Sequence, residues 1–296
     1  MSWCGLLNVD KPAGMTSRQV VDHVLKLVRP AKVGHAGTLD PLATGVLIVC
    51  VGAATRLITR VQQGRKRYVG RFLLGKRSST EDTDGDVVEG GDWSGVTLAH
   101  LEQMLPEFLG TIQQTPPQIS AVKVAGHRAY KLARRGETVA LEPRPVEIFS
   151  LRIAMFEPPE FELEIECGSG TYVRAIGRDL GERLGCGAVM SALNRTAIGR
   201  FELADAVPLG SLSATSLREA LMSPLAAVAE LPQRKLDPAE IVWVRQGRPI
   251  PWGFIPAADC HGEVTLIDAA ENMVGIAQAD PSQQQLLPKL VLFALQ

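Results

Sequence analysis

A single carboxylate, Asp40, stands in the long acid-free stretch between Asp22 and Glu81. It lies in the loop Gly34-His35-Ala36-Gly37-Thr38-Leu39-Asp40-Pro41-Leu42-Ala43-Thr44, which runs straight into the apolar, β-branched segment 45–51. Such a segment reads as a buried strand, so any fold of this chain must bring a solitary acid to the mouth of a core strand. Gly37 and Gly45 let the backbone approach a ligand closely, and Pro41 stiffens the turn after the acid. Position alone is also satisfied by an Asx turn, in which Asp40 caps its own loop. A nucleophilic role requires more, namely a cation or hydrogen bonds that keep the carboxylate ionised and aimed.

The rest of the chain mixes strands with helices. Segment 5–9 is a short apolar strand ending at Asp10-Lys11-Pro12. Thr16 or Ser17 can cap a helix whose apolar face is Val20, Val21, Val24, Leu27 and Val28, with Pro30 after its end. Residues 32–44 read as loop. Segment 68–74 reads as a strand, with Val87-Val88 as its hairpin partner beyond the Asp84-Gly85 turn. A helix is expected over 98–109, with Leu98, Leu101, Leu105 and Phe108 on one side. Segments 146–156 and 161–167 read as strands, the second alternating apolar residues with Glu162, Glu164 and Glu166. Gly168-Ser169-Gly170-Thr171 turns into a helix carrying Val173, Ile176, Leu180 and Leu184, which Gly185 is placed to end. A last helix is expected over 216–228. Beyond a linker at 231–233, apolar runs at 241–244, 264–267, 273–277 and 290–295 suggest a small β-rich module.

With 296 residues the chain can bury a large core and divide into two unequal domains. Its five cysteines are scattered, which argues against disulfides and structural zinc. No apolar run is long enough to span a bilayer, and Met1–Gly5 lacks signal-peptide character, so a cytoplasmic protein is expected. The net charge of -1 is uninformative, but its distribution is not. Lys123, Arg128, Lys131, Arg134 and Arg135 fall in an acid-free run from 118 to 136, and Arg65-Lys66-Arg67 forms another cluster. Such patches suit a phosphate-bearing partner, although solvated helix faces give the same pattern. Segment 115–145, with prolines at both ends, reads as an excursion from the core, partly helical between 128 and 135.

Two further side chains invite chemistry. Tyr68 follows the basic cluster, where an aromatic ring can stack on a base; a packed core tyrosine fits equally well. Arg174 falls in the first turn of a helix, where the dipole disfavours a cation, so it should pair with an acid or a ligand. Two apparent motifs fail. Gly70 to Gly75 followed by Lys76 has Arg77 where a P-loop needs Ser or Thr. The acids around Gly85 place Thr80 and Gly91 at the first and last ligand positions of a calcium loop.

Taken together, the residues resemble those of the TruB family, the tRNA pseudouridine-55 synthases. The loop 34–47 resembles the family's catalytic motif, and Asp10-Lys11-Pro12-Ala13-Gly14-Met15-Thr16-Ser17 its N-terminal motif. Lys66-Arg67-Tyr68, Ser120-Ala121-Val122-Lys123 and Gly170-Thr171-Tyr172-Val173-Arg174 with Asp179-Leu180-Gly181 follow in the family's order. The resemblance covers residues 5–200. The C-terminal module is only weakly similar to the family's small RNA-binding barrel. Lys131 stands where related chains commonly carry an acid, and Arg56 where a lysine is frequent.

The resemblance implies an isomerase that detaches the base of one uridine in the T-arm of tRNA and rejoins it to the ribose through carbon, with no cofactor and no metal. It makes Asp40 the nucleophile, has Arg174 pair with it, and has Tyr68 stack on the flipped uracil. His35 would fill the gap left in the RNA, Tyr172 and Leu193 would line the uracil pocket, and Lys123 would contact substrate. The implied fold is α+β. A pseudouridine-synthase catalytic domain over 1–231, with a mixed, largely antiparallel sheet and an RNA-clasping insertion at about 115–145, precedes a small PUA-like β module over 234–296. The chain would act as a monomer on tRNA. Two rivals remain: a tRNA-folding module in which isomerisation is secondary, and the catalytic subunit of a guide-RNA particle.

Overall fold

The computed structural model describes residues 3–119, 140–253 and 262–292, and the backbone of 123–124 and 127–128. In chain order the strands are β1 (Gly5–Lys11), β2 (Val33–Ala36), β3 (Thr44–Val51), β4 (Lys66–Leu74), β5 (Lys76–Ser78), β6 (Val87–Glu89) and β7 (Gly110–Gln114). The two-residue pair β8 (Lys123–Val124) and β9 (His127–Arg128) comes next. Then follow β10 (Arg144–Glu157), β11 (Glu160–Cys167), β12 (Ala188–Ile198), β13 (Phe201–Glu202) and β14 (Val207–Pro208). The last five are β15 (Gln233–Lys235), β16 (Ile250–Pro251), β17 (Glu263–Ile267), β18 (Met273–Asp280) and β19 (Gln285–Val291). The α-helices among the described residues are α1 (Ser17–Val28), α2 (Ile58–Gln63), α3 (Leu98–Met104), α4 (Val173–Arg183), α5 (Ala214–Ala220) and α6 (Pro238–Arg245).

A large sheet runs β14-β1-β3-β12-β4-β11-β10-β7, with β2 on β3 and β13 on β12. Only β1–β14 and β3–β12 are parallel; the other pairings in this sheet are antiparallel. On β4 the residues Lys66, Tyr68, Gly70, Phe72 and Leu74 point inward while Arg67 and Arg71 face out. The glutamates of β11 also face out and meet arginines across the strands: Glu162 lies 3.4 Å from Arg71 and Glu166 3.3 Å from Arg65. The acidic run is thereby neutralised on its own surface.

One core lies between the sheet and the helices α1 and α4, and it contains Val9, Leu47, Val49, Phe72, Leu163, Ile176 and Leu180. Phe72 stacks on Phe161 with ring centroids 5.1 Å apart. Helix α4 comes so close to β4 that a Cβ on Gly177 would lie 2.2 Å from the Phe72 ring, so only glycine fits there. The opposite face of the sheet buries Leu6, Val46, Ile48 and Cys50 against α2 and against Met273 and Ile276 of the second sheet. That second sheet runs β15-β17-β18-β19-β16. It is tied down further by an Arg60–Glu263 ion pair and by Arg56, which donates to the Val291 carbonyl.

Several local expectations are corrected. The 32–44 segment is not all loop, because β2 zips onto β3 from Val33↔Val51 to Ala36↔Ile48. Val87-Val88 pairs with β5, not with the strand at 68–74. The helix at 98–109 ends at Met104 and continues as a 3-10 turn around Pro106, with Leu98 exposed. The helix at 216–228 stops at Ala220, since Pro224 starts a separate 3-10 turn. The run 241–244 is helical: Asp237 and Glu240 form a capping box around Pro238, which fixes a helix start. The helix expected over 128–135 lies outside the described residues, except Arg128, which is in β9. Strand β12, central to the sheet, escaped the periodicity. Register slips at Met190/Ala192 and Arg195/Ala197 break its alternation.

Where β3 and β12 meet, Gly45 has φ +94°, and a Cβ there would lie 2.3 Å from Asn194 Oδ1 and 2.4 Å from the Arg195 carbonyl oxygen. We expect Gly45→Ala to lose about 2–4 kcal/mol through backbone strain and forced separation of the two strands. Urea unfolding of both proteins measures this, and an unchanged midpoint would show that the strands part freely.

Candidate active site

The loop that carries Asp40 is held by residues far earlier in the chain. Thr16 is the N-cap of α1 and makes a capping box with Gln19. That frees the neighbouring Ser17 hydroxyl, which accepts from the Leu39 N–H at 2.8 Å and donates to the Leu39 carbonyl at 3.0 Å. Lys11 is fully buried, and its ammonium donates to the carbonyls of Pro12 (2.9 Å), Met15 (2.6 Å) and Pro41 (3.3 Å). Gly14 N–H adds a bond to the Pro41 carbonyl at 2.8 Å. Asp40 is thus gripped on both sides, at Leu39 and at Pro41.

Arg174, in the first turn of α4, faces Asp40 side-on. Its Nε lies 3.1 Å from Oδ2 and its Nη2 3.4 Å from Oδ1, a two-pronged pairing that fixes the direction as well as the charge of the carboxylate. The remaining donors are also engaged. Nη1 reaches the Thr80 carbonyl (2.6 Å) and Asp82 Oδ2 (3.3 Å), and Nη2 reaches the Ile119 carbonyl (3.1 Å). Asp82, buried, is itself oriented by the Thr80 hydroxyl at 2.5 Å and the Asp84 N–H at 3.2 Å. One turn further along α4, Arg178 pairs with Glu81 and donates to the Thr115 carbonyl at 3.0 Å. Only 6% of the Arg174 side chain is exposed, against 36% for Asp40, so the carboxylate is open on the side away from the arginine.

That open side faces a cleft of about 500 Å³. Its lining includes Asp40, Lys66, Tyr68, Tyr172, Leu193 and Arg195, together with the 168–171 turn. Tyr68 is buried on β4, and Leu193 and Arg195 project from β12. Tyr172 is held through its backbone, whose N–H donates to Gln114 Oε1 at 2.8 Å and whose carbonyl accepts from Gln114 Nε2 at 3.0 Å. The sequence thus supplied five residues that converge here or beside it: Asp40, Tyr68, Tyr172, Arg174 and Leu193. His35 does not line the cleft. It lies half-buried on β2 opposite Val49, with its Nδ1 buried and without a partner among the described residues. The Lys123 side chain lies outside the described residues.

Sequence reading missed Lys11, Asp82 and Arg195, each buried and each bonded to the Asp40 loop or to Arg174. The signal for Lys11 was present, since a lysine ending an apolar strand has no reason to be there unless something accepts its protons. Asp82 and Arg195 lay in segments whose local pattern shows only a turn and an unremarkable polar run.

Burial sets the electrostatics. It pushes the Asp40 carboxyl above its ordinary value, with Arg174 and Lys11 opposing and Asp82 and Asp84 adding to the rise. It pushes the Tyr68 phenol up, with Arg195 opposing. It lowers Lys11 and Lys66 to about 8. It also lowers His35, with Arg195 and Arg18 contributing, so the imidazole is neutral at pH 7.

Comparison with known proteins identifies this arrangement. Residues 25–173 match the TruB family pseudouridylate synthase N-terminal domain, and residues 174–238 match the tRNA pseudouridylate synthase B C-terminal domain. The chain belongs to the TruB family of pseudouridylate synthases. It is 40% identical over 297 residues to the tRNA pseudouridine synthase B of Synechococcus sp. (strain CC9311), covering 98% of each chain. It is 40% identical over 273 residues to that of Mycobacterium bovis (strain BCG / Pasteur 1173P2), covering 89% of this chain and 91% of the relative. Among solved structures, a chain of a Cbf5-Nop10-Gar1 complex superposes with a TM-score of 0.73 at 25% identity, covering 98% of this chain and 85% of its own. The fold is that of the pseudouridine synthases, and the second sheet is its small PUA-like module. Membership makes the chain an isomerase, because uridine and pseudouridine contain the same atoms and differ only in which base atom bonds to the ribose.

Lys66 offers a direct check on the electrostatics. The residue is 5% exposed, and its ammonium donates to the Gln62 carbonyl. The folded protein releases this proton at about 8 and the unfolded chain only near 10.5, so stability rises with pH between those values. We expect wild type to gain stability relative to Lys66→Met across that window. A gap that stays level across the window in pH-dependent urea unfolding would show that Lys66 is solvated.

Proposed function

We propose that the chain converts the uridine at position 55, in the T-arm loop of tRNA, to pseudouridine, with Asp40 as the nucleophile and without a cofactor. The observation that carries this reading is the two-pronged Arg174–Asp40 pair at the wall of a cleft of nucleotide size. Arg174 keeps the carboxylate ionised and turns it so that one side is free to attack. Tyr68, across the cleft, offers a ring face on which an extruded uracil stacks. Extrusion costs a few kcal/mol, and stacking returns about 1–3 kcal/mol. Tyr172 and Leu193 close the remaining walls and keep water from the reactive sugar. His35, neutral and on β2 just before the catalytic loop, suits insertion into the gap that the base leaves. Lys123 and the basic excursion would hold the RNA backbone, and the work would be done in the cytoplasm by a single chain over domains 1–231 and 234–296.

The guide-RNA reading fits less well. The complexes with partner proteins are 22–25% identical to this chain, whereas the full-length relatives called tRNA pseudouridine synthase B are near 40%.

Asp40→Asn keeps the shape of the site and removes the nucleophile. We expect it to lose more than about 10³-fold in single-turnover rate on a T-arm transcript, with RNA affinity within about threefold of wild type. Nucleoside mass analysis reads the product, and retained pseudouridine formation would remove Asp40 from the nucleophile's role. The wild-type rate should also fall on the acid side, with a midpoint above the ordinary aspartate value of 3.8, because only the ionised carboxylate attacks and burial raises its pKa. A rate independent of pH down to that value would contradict the assignment.

A further inference from the structure

Arg195 is a cation in the cleft that the reading above leaves without a task, and its surroundings are unusual. It lies on β12 opposite Tyr68 of β4 and Gly45 of β3. The parallel pairing of β3 with β12 spans only Asn194 and Arg195. Beyond it the guanidinium fills the gap between the strands. Its Nε donates to the Val46 carbonyl at 2.7 Å and its Nη2 to the Gly37 carbonyl at 3.0 Å. The same guanidinium acts electrostatically on the Tyr68 phenol, favouring its ionised form. One side chain therefore holds the loop that carries Asp40 while standing across the strands from Tyr68.

Only 1% of Arg195 is exposed, yet none of the ion pairs among the described residues includes it. Carbonyls satisfy its hydrogen bonds but carry no net charge. Burying an unpaired charge is costly, and a charge so placed in a cleft is a candidate for a functional role. Arg174 differs in this respect, because Asp40 and Asp82 already balance it.

The geometry points to Arg195 as a positioning residue for isomerisation: it braces the Asp40 loop beside Tyr68, and its unbalanced charge favours the base in its transiently anionic form. This rests on the isomerase reading above. In that reaction a carboxylate oxygen of Asp40 bonds to C1′ as the C1′–N1 bond breaks, and the electron pair of that bond stays on the base, spread over N1, O2 and O4. The pair at C5 then forms the new bond to C1′ as the Asp40–C1′ bond breaks and frees the carboxylate, the proton on C5 departs, and N1 takes up a proton, so nothing is oxidised or reduced. Were Asp40 to add first to C6, the pair would rest on O4 as an enolate. In either order the base passes through a negatively charged form beside Tyr68 and Arg195.

The test compares uridine with 5-fluorouridine at the target position of a T-arm transcript, in single-turnover assays of wild type, Arg195→Gln and Arg195→Lys; the rate read is consumption of the target nucleoside, because 5-fluorouridine has no C5 proton to lose and only its detachment and rejoining can be compared. Fluorine withdraws electrons and stabilises an anionic base without help from the protein. We expect Arg195→Gln to react about 100-fold more slowly than wild type on uridine and less than about 10-fold more slowly on 5-fluorouridine, with Arg195→Lys between the two. A purely structural arginine would give the same deficit on both substrates, and that equality, or a Gln variant within twofold of wild type on uridine, overturns the proposal. Should Arg195→Gln not fold, Arg195→Lys carries the same comparison, its charge drawn back by the shorter side chain; no narrowing there overturns it equally. RNA affinity and melting temperature are measured in parallel. Failure of wild type to modify uridine would sink the isomerase reading instead, which keeps the two outcomes apart.

Discussion

The contact on which the rest of the site depends is the fork between Arg174 and Asp40. A carboxylate walled into a cleft tends to take up a proton, and burial moves Asp40 in that direction. The guanidinium opposes this and, because it holds both oxygens, also fixes the plane of the carboxylate. A lysine would supply charge but no plane. The geometry survives because Arg174 has no slack of its own: Asp82, the Thr80 carbonyl and the Ile119 carbonyl absorb its other protons. The first turn of a helix is a poor place for a cation, and two carboxylates offset that cost.

The sheet brings these groups to one end of its central strands. Tyr68 comes from β4, Leu193 and Arg195 from β12, and the Asp40 loop joins β2 to β3. The close approaches at Gly45 and Gly177 set the spacing, one between neighbouring strands and one between α4 and the sheet. Behind the sheet, the second one is fastened by shared apolar packing and by Arg56 and Arg60. The arginine at position 56 thus has a docking contact in addition to its charge.

Much of this was legible in the residues. Asp40 betrayed itself by isolation in an acid-free stretch, and Arg174 by standing where a helix disfavours it. Strands with clean alternation, such as 161–167, needed no structure to be found. What escaped did so for physical reasons. β12 is bulged twice, so its side chains fall out of period although it lies at the centre of the sheet. Segment 241–244 is apolar enough for a strand, but the cap at Asp237, not its hydrophobicity, decides its form. Asp82 and Arg195 act through contacts distant in sequence, and no local pattern encodes a partner more than ninety residues away.

The shape of the Asp40 loop is not stored in the loop. Lys11 and Ser17, contributed by the strand and helix that open the fold, hold it at Pro41 and Leu39, and Arg195 holds it at Gly37. The signature by which the family is recognised is therefore not a portable device. Transplanted into another scaffold it would keep its letters and lose its conformation, because the instructions for that conformation are written elsewhere in the chain.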